Sequence, residues 1–308
     1  MLKYCIKRLL WMIPVVLGVA FLTFTLMYFV PGDPTSGLLG VDATEEERDA
    51  LREEMGLNDP YIVRLGRFFK ETFIDFNLGT SYKTKQDVGQ QIREKLPNTM
   101  RVCYFSVIIS VLVGIPLGVI AATNQYSWKD NLSILLSLFF ASMPGFWFAL
   151  MLVMLLSVKW GLLPTIYDGT WKSFIIPCIS VGLAGAAGIA RQTRSSMLEV
   201  IRQDYITTAR AKGQTEMKVI YQHALKNALI PVITAIGSQL AALVGSSIIA
   251  ETIFSIPGIG TYMLGAVNAR DYPVVQGTII IIALIFSLTI FIVDLLYAAV
   301  DPRLRSQY

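Results

Sequence analysis

Side chains able to do chemistry are few in this chain, and they gather in one place. Over 204–231 it reads D-Y-I-T-T-A-R-A-K-G-Q-T-E-M-K-V-I-Y-Q-H-A-L-K-N-A-L-I-P, a basic, helix-favouring stretch between two long apolar segments. Around it Arg191, Arg194, Arg202, Arg210, Lys212, Lys218 and Lys226 outnumber Glu199, Asp204 and Glu216. The single histidine, His223, lies here and reads as a helical surface residue. One histidine and three cysteines without a C-x-x-C pair cannot assemble a His/Cys metal site. Cys5, Cys103 and Cys178 sit in or near apolar runs and read as small buried hydrophobes. No carboxylate clearly pairs with His223 as a triad would need, and no G-x-x-x-x-G-K-[ST] loop is present for the usual route to nucleotide hydrolysis. The chemistry left is contact: a basic surface suited to docking.

Gly213 divides this stretch into two helices. The first, about 199–212, places Ile201, Tyr205 and Thr208 on one face. The second, about 215–229, places Met217, Ile220 or Tyr221, Ala224 and Ala228 on one face and runs into the next apolar segment. Gly213 is expected to take a positive φ, where one helix ends and the next begins. Ala209, one turn earlier, is expected to face a partner closely. A hairpin tied to two spans would move them as levers. A plain solvated connector would need neither the length nor the stripe.

The elements that must hold this hairpin are membrane spans. The chain has 308 residues, 54% apolar and 16% charged, against roughly 25% charged in soluble domains. Six segments are long enough to cross a bilayer: 9–30, 102–122, 132–158, 174 to about 197, 228–250 and 274–293. The first is too long for a signal-peptide core and no A-x-A site follows, so it reads as a retained span. With the N-terminus inside, thirteen Lys and Arg fall on the cytoplasmic side and three (Lys159, Lys172 and Arg270) in the short outer loops. The positive-inside rule then gives N-in, C-in, with the basic hairpin in the cytoplasm. The net charge of +4 is spread over loops and is no nucleic-acid signal.

The fold class is an all-α integral membrane protein with a helical cap after the first span. Its divisions are 1–30, the first transmembrane helix; 31–99, the cap; 100–300, a five-helix core carrying the loop 199–228; and 301–308, a tail. In the cap, Pro31-Gly32-Asp33-Pro34 ends the first span. Thr44-x-x-Glu47 is a capping box for a helix stopping near Gly56. Asp59-Pro60 starts a second helix with Leu65, Phe68, Phe69 and Phe73 as its apolar stripe. A third short helix is expected from 87 to about 95, before Pro97, and the small cap is expected to lean on the spans or the bilayer. Prolines 14, 116, 144, 177 and 231 interrupt spans. The fourth span is rich in Gly and Ala, which suits close packing or a path that widens and narrows. Intramembrane charge is nearly absent: Glu251 and Asp294 fall near span ends. An ion-coupled carrier would need buried charges along its path, and a membrane enzyme a convergent site, so energy is expected to enter from outside the chain.

The run Tyr205-Ile-Thr-Thr-Ala-Arg-Ala-Lys-Gly213, with His223-Ala-Leu225 and Pro231, resembles the EAA loop of ABC-importer permeases, most closely the dipeptide/oligopeptide/nickel type. The resemblance extends over nearly the whole chain. It includes Pro31-Gly32-Asp33-Pro34, Leu96-Pro97-x-Thr99, Arg191-x-x-Arg194-Ser195-Ser196-Met197-Leu198-Glu199-Val200, the run from Glu251 to Gly260, Arg270-Asp271-Tyr272-Pro273, Asp294-Leu-Leu-Tyr297 and Asp301-Pro302-Arg303. Thr207 stands where the broader pattern has Glu, His223 where it has Ile, and Lys226 where it has Pro. The resemblance implies a pore-forming, non-catalytic subunit of an importer of dipeptides or oligopeptides, or else of nickel or another small solute, in a bacterial inner membrane. It implies a sister permease, two cytoplasmic ATPase subunits that bind the ATP and Mg, an extracytoplasmic solute-binding protein, and lipid as partners. It implies ATPase coupling through Tyr205, Thr208, Ala209, Ala211, Lys212 and Gly213, with no cofactor or metal in this chain.

Overall fold

The computed structural model describes residues 2–30, 32–39 and 43–300. Pro31 and the tail motif Asp301-Pro302-Arg303 lie outside the described residues. Helix α1 (Leu2–Phe29) is followed by three short helices, α2 (Pro34–Leu39), α3 (Glu45–Glu54) and α4 (Tyr61–Phe73). Then come α5 (Val88–Thr123), α6 (Trp128–Ser142) and α7 (Gly145–Leu152), the last running into a π-helical segment Val153–Lys159. A 3₁₀ turn, Trp171–Phe174, leads into α8 (Ile175–Ile201). The basic stretch forms α9 (Asp204–Ala211) and α10 (Glu216–Lys218), then a π-helical segment Val219–Ala224 that joins α11 (Leu225–Ser246). Helices α12 (Ile248–Ile253), α13 (Ile259–Ala269) and α14 (Tyr272–Val300) complete the described chain.

Five helices are long and apolar enough to cross a membrane: Ile6–Phe29, Val88–Thr123, Trp171–Ile201, Glu216–Ser246 and Tyr272–Leu295. The expected third span, 132–158, is not one rod. It is the pair α6 and α7 with its π-helical continuation, bent by 99°. Met143 is extended (φ −76°, ψ 131°) ahead of Pro144, as the proline ring forces on the residue before it. The other prolines break nothing. Pro14, Pro116 and Pro231 lie inside continuous helices, and Pro177 is in the first turn of α8, where no N–H is required of it.

The expected separate helix at 87–95 is instead the start of α5, which passes through Pro97 without stopping. Pro97 forfeits one backbone bond. In return Val88 and Ile92 on that first stretch are buried in one apolar cluster with Cys103, Val244, Ile259 and Val274. This fixes α5 as a rod joining the cap to the basic hairpin.

The capping box forms as expected: the Glu47 amide donates to Thr44 Oγ1 (3.3 Å) and the Thr44 amide to Glu47 Oε2 (2.9 Å). Gly56, at φ +63°, ends that helix. Phe68, Phe69 and Phe73 of α4 pack on Val16 and Ala20 of α1 and Ile280 of α14, so the cap leans on the spans. Asp271 pins the loop before α5: its carboxylate accepts from Ser81 Oγ (2.5 Å) and from the amides of Tyr82 (3.0 Å) and Lys83 (3.3 Å).

Helices α5 and α8 form the tightest pair in the bundle. A Cβ on Gly114 would lie 2.7 Å from the Ala186 carbonyl oxygen, and one on Gly118 would lie 2.6 Å from that of Ala190. Only glycine permits this approach. One face of the Gly/Ala-rich α8 is thus used for packing, and Ala184 and Gly188 on the other face are exposed.

Candidate functional site

The hairpin is short, tightly bonded and rooted in the two helices that flank it. Gln203 is extended (φ −80°, ψ 147°) and separates α8 from α9. Glu199 and Ile201 therefore belong to α8, not to the first hairpin helix. Gly213 takes φ +73°, and its amide donates to the Arg210 carbonyl at 2.9 Å. Arg210 clasps Glu216 across the turn, Nη2 to Oε1 at 2.7 Å and Nε to Oε2 at 3.2 Å. That hydrogen-bonded guanidinium holds the Glu216 carboxyl below its ordinary pKa. His223 Nε2 lies 2.6 Å from Gln214 Oε1, and Asn227 Nδ2 donates to Tyr205 Oη at 2.9 Å.

The inward face of the hairpin differs from the one its spacing predicts. Ile206 and Ala209 are buried against Val119, Ala122, Met197, Val219, Ala224 and Ala228. Ala209 is 7% exposed, so it faces its own chain's core and not a partner. On the second arm the phase changes within 219–224, which is π-helical. Val219 and Ala224, five residues apart, share the buried face, as i→i+5 winding dictates and i→i+4 winding would not. Met217 (67% exposed) and Tyr221 are thereby turned outward, away from Ala224 and Ala228. Of the residues expected to make contact, Tyr205, Thr208, Ala211, Lys212 and Gly213 are exposed. Together with Met217 and Tyr221 they make a mixed apolar and basic surface.

Nearer the cap, α7, α8, α11 and α12 enclose an open cavity of about 430 Å³. Its wall is mostly small or apolar, including Pro144, Gly145, Ala184, Gly185, Ser246 and Ile253. The 99° break leaves room for it, since Pro144 and Gly145 stand on its rim. Gln239 of α11 lines the cavity and donates from Nε2 to Ser110 Oγ (2.9 Å), which in turn donates to the Gly182 carbonyl (2.7 Å). This relay bonds α11 to α5 and α8 beside the cavity.

Two acids missed by pattern reading hold this frame. Glu251, expected near an interface, is wholly buried. Its carboxylate accepts from Thr99 Oγ1 (2.6 Å), Ser247 Oγ (3.0 Å) and the Thr261 amide (3.0 Å). Thr99 Oγ1 also accepts the Ile259 amide at 2.9 Å, so α5, α12 and the start of α13 meet on one carboxyl group. The second is Asp130, whose buried carboxylate takes a two-pronged bond from Arg194, Nε and Nη2 each at 2.9 Å, and ties α6 to α8. Asp294 pairs with Arg8 at 3.1 Å and joins α14 to α1.

Comparison with known proteins agrees with this architecture. Residues 114–306 match the family described as binding-protein-dependent transport system inner membrane component, and residues 1–103 match its N-terminal membrane component. The chain is 41% identical to the dipeptide transport system permease protein DppB of Alkalihalophilus pseudofirmus, over 99% of this chain and 100% of that one. It is 37% identical to the glutathione transport system permease protein GsiC of Salmonella paratyphi A, over 99% of each. In fold it is similar to a solved chain of the inward-facing MetNI methionine ABC transporter, with a TM-score of 0.58 at 19% identity, covering 69% of this chain and 97% of that one. With matches spanning nearly its full length, this chain belongs to the inner membrane components of binding-protein-dependent transport systems and is an ABC importer permease.

Proposed function

We propose that the chain is one half of the pore of an ATP-driven importer of dipeptides or other short peptides. The relatives named above for dipeptide and glutathione transport support this solute class. The basic hairpin is the cytoplasmic docking element for an ATPase subunit, through Tyr205, Thr208, Ala211, Lys212 and Gly213 with Met217 and Tyr221. Its position carries the reading: it is rooted in α8 and α11, two of the four helices that wall the cavity. A load on the hairpin reaches the cavity along the continuous helical run Glu216–Ser246. The cap faces outward toward a solute-binding protein, a sister permease completes the pore, and ATP and Mg are bound by the partners. The Lys and Arg distribution supports N-in, C-in placement in a bacterial inner membrane.

Growth on a dipeptide as the only source of a required amino acid, with and without this gene, tests the reading. Growth and ATP-dependent uptake of labelled dipeptide are expected only with the gene. Equal uptake by both strains refutes it.

A further inference from the structure

Arg191 differs from the arginines that tie the bundle together. It lies within the apolar helix Trp171–Ile201, and no hydrogen-bond or ion partner faces it among the described residues. Its neighbour Arg194 is neutralised by Asp130, and Arg8 by Asp294. Arg191 is exposed at the cytoplasmic end of the fourth span, where a guanidinium meets water and is free to take an anion. It lines an open groove of about 650 Å³ between α8 and Ile134 of α6.

The cavity and this groove are separate, but both are lined from one face of α8. Ala184, Gly188, Arg191 and Ser195 are spaced i, i+4, i+7, i+11, so their side chains share one stripe. Ala184 lines the cavity, a Cβ on Gly188 would meet open space, and Arg191 and Ser195 line the groove. All four are exposed. The groove's acid, Glu199, is eight residues beyond Arg191, about 12 Å further along the helix. The end nearest the cavity is therefore positive.

We propose that Arg191, with the Ser195 hydroxyl beside it, is a transit site for a solute carboxylate leaving the cavity toward the hairpin. This rests on the peptide-import reading, because every unmodified peptide carries a terminal carboxylate. Arg191 presents a planar fork suited to that group, and Ser195 adds a donor one turn away.

The test uses the complete importer in phosphatidylcholine proteoliposomes, with Cys5, Cys103 and Cys178 replaced by Ser and a reporter thiol introduced by Gly188→Cys. Labelling of that thiol is read with alanyl-alanine present as the free acid or as the amide. The acid is expected to protect at a concentration about ten-fold lower than the amide, the scale of one charge-assisted bond. Arg191→Gln should abolish the difference and Arg191→Lys should keep most of it. Equal protection by acid and amide, or a preference unchanged by Arg191→Gln, overturns the proposal. So does protection by added phosphatidylglycerol with no peptide present, which would make this a lipid site. The same comparison with acetate and acetamide reads the anion site alone. An importer that takes up no peptide yet prefers acetate through Arg191 would refute the solute class and leave the transit site standing.

Discussion

Glu251→Ala probes the joint on which the cap end of the pore is built. The carboxylate accepts three hydrogen bonds in a fully buried setting. A buried donor left without its acceptor costs about 1–3 kcal/mol, and neighbours in one network do not add fully. Removing the acceptor strands the Thr99 and Ser247 hydroxyls and the Thr261 amide, so the expected loss is about 3–6 kcal/mol. Glu251→Gln keeps the volume and one good acceptor but turns an NH₂ toward donors, for a loss of about 1–3 kcal/mol. Gly260→Ala attacks the same joint from outside, because its Cβ would lie 2.8 Å from Oε2 of Glu251. Cys103 is a built-in reporter, completely buried one turn along α5 from Thr99. With Cys5 and Cys178 replaced by Ser, its rate of maleimide labelling reads opening of the joint directly. Labelling should accelerate from wild type to Gln to Ala, with thermal stability in detergent falling in the same order. An alanine variant that melts like wild type, with Cys103 as unreactive as before, would refute the reasoning.

Ala209→Glu should act through its own core: abundance and melting temperature fall, because a carboxylate is forced among Val119, Met197 and Val219. Gly213→Val should leave the core intact, since its Cβ meets nothing, yet cost about 1–3 kcal/mol for a β-branched residue at positive φ. The contrast is read by pull-down of the ATPase and by solute uptake at matched permease levels; full binding and uptake by Gly213→Val would reduce the hairpin to a connector. A thiol introduced by Ser36→Cys should react with an impermeant reagent only from outside, and one introduced by Gln214→Cys only from inside; the opposite pattern inverts the topology. The Glu216 carboxyl is depressed by its bond to Arg210, so its contribution is fully present above its ordinary value of 4.5 and lost as pH falls through the lower folded value. Hydrogen exchange at 212–216, corrected for intrinsic rate, should rise on acidification below about pH 4.5 in wild type and not in Glu216→Gln; identical profiles would show that the clasp is idle.

Signals confined to a few neighbouring residues were legible in the sequence. The Thr44–Glu47 box, the Gly213 turn and the long apolar runs each depend on local spacing, and each formed. On the second arm 3.6-residue periodicity misplaces the inward face because 219–224 winds as a π-helix; on the first arm, a regular α-helix, Ile206 and Ala209 rather than Tyr205 and Thr208 turn inward because tertiary packing selects the face. Pro144 was recognised as an interruption, but a proline does not specify the direction of the chain beyond it, so the 99° turn was hidden. Pro97 was read as a stop because the burial of Val88 and Ile92 that carries the helix through it is a tertiary effect. The partners of Glu251 and Asp130 stand far off in sequence, Thr99 by 152 positions and Arg194 by 64. No window-based reading brings such pairs together.

The continuity of α5 has a mechanical meaning. Its 36 residues form a strut about 54 Å long, nearly twice the depth of a bilayer's hydrocarbon. One end is embedded with Asp271's loop under the cap, and the other, with Val119 and Ala122, lies under the hairpin. If the strut pivots by about 5° at the hairpin, its far tip sweeps about 5 Å. On the docking reading proposed above, a load at either surface would then be felt as a displacement at the other. Under that reading, reciprocity would require that whatever tips the cap end alters, by the same free energy, the affinity of the hairpin for its partner.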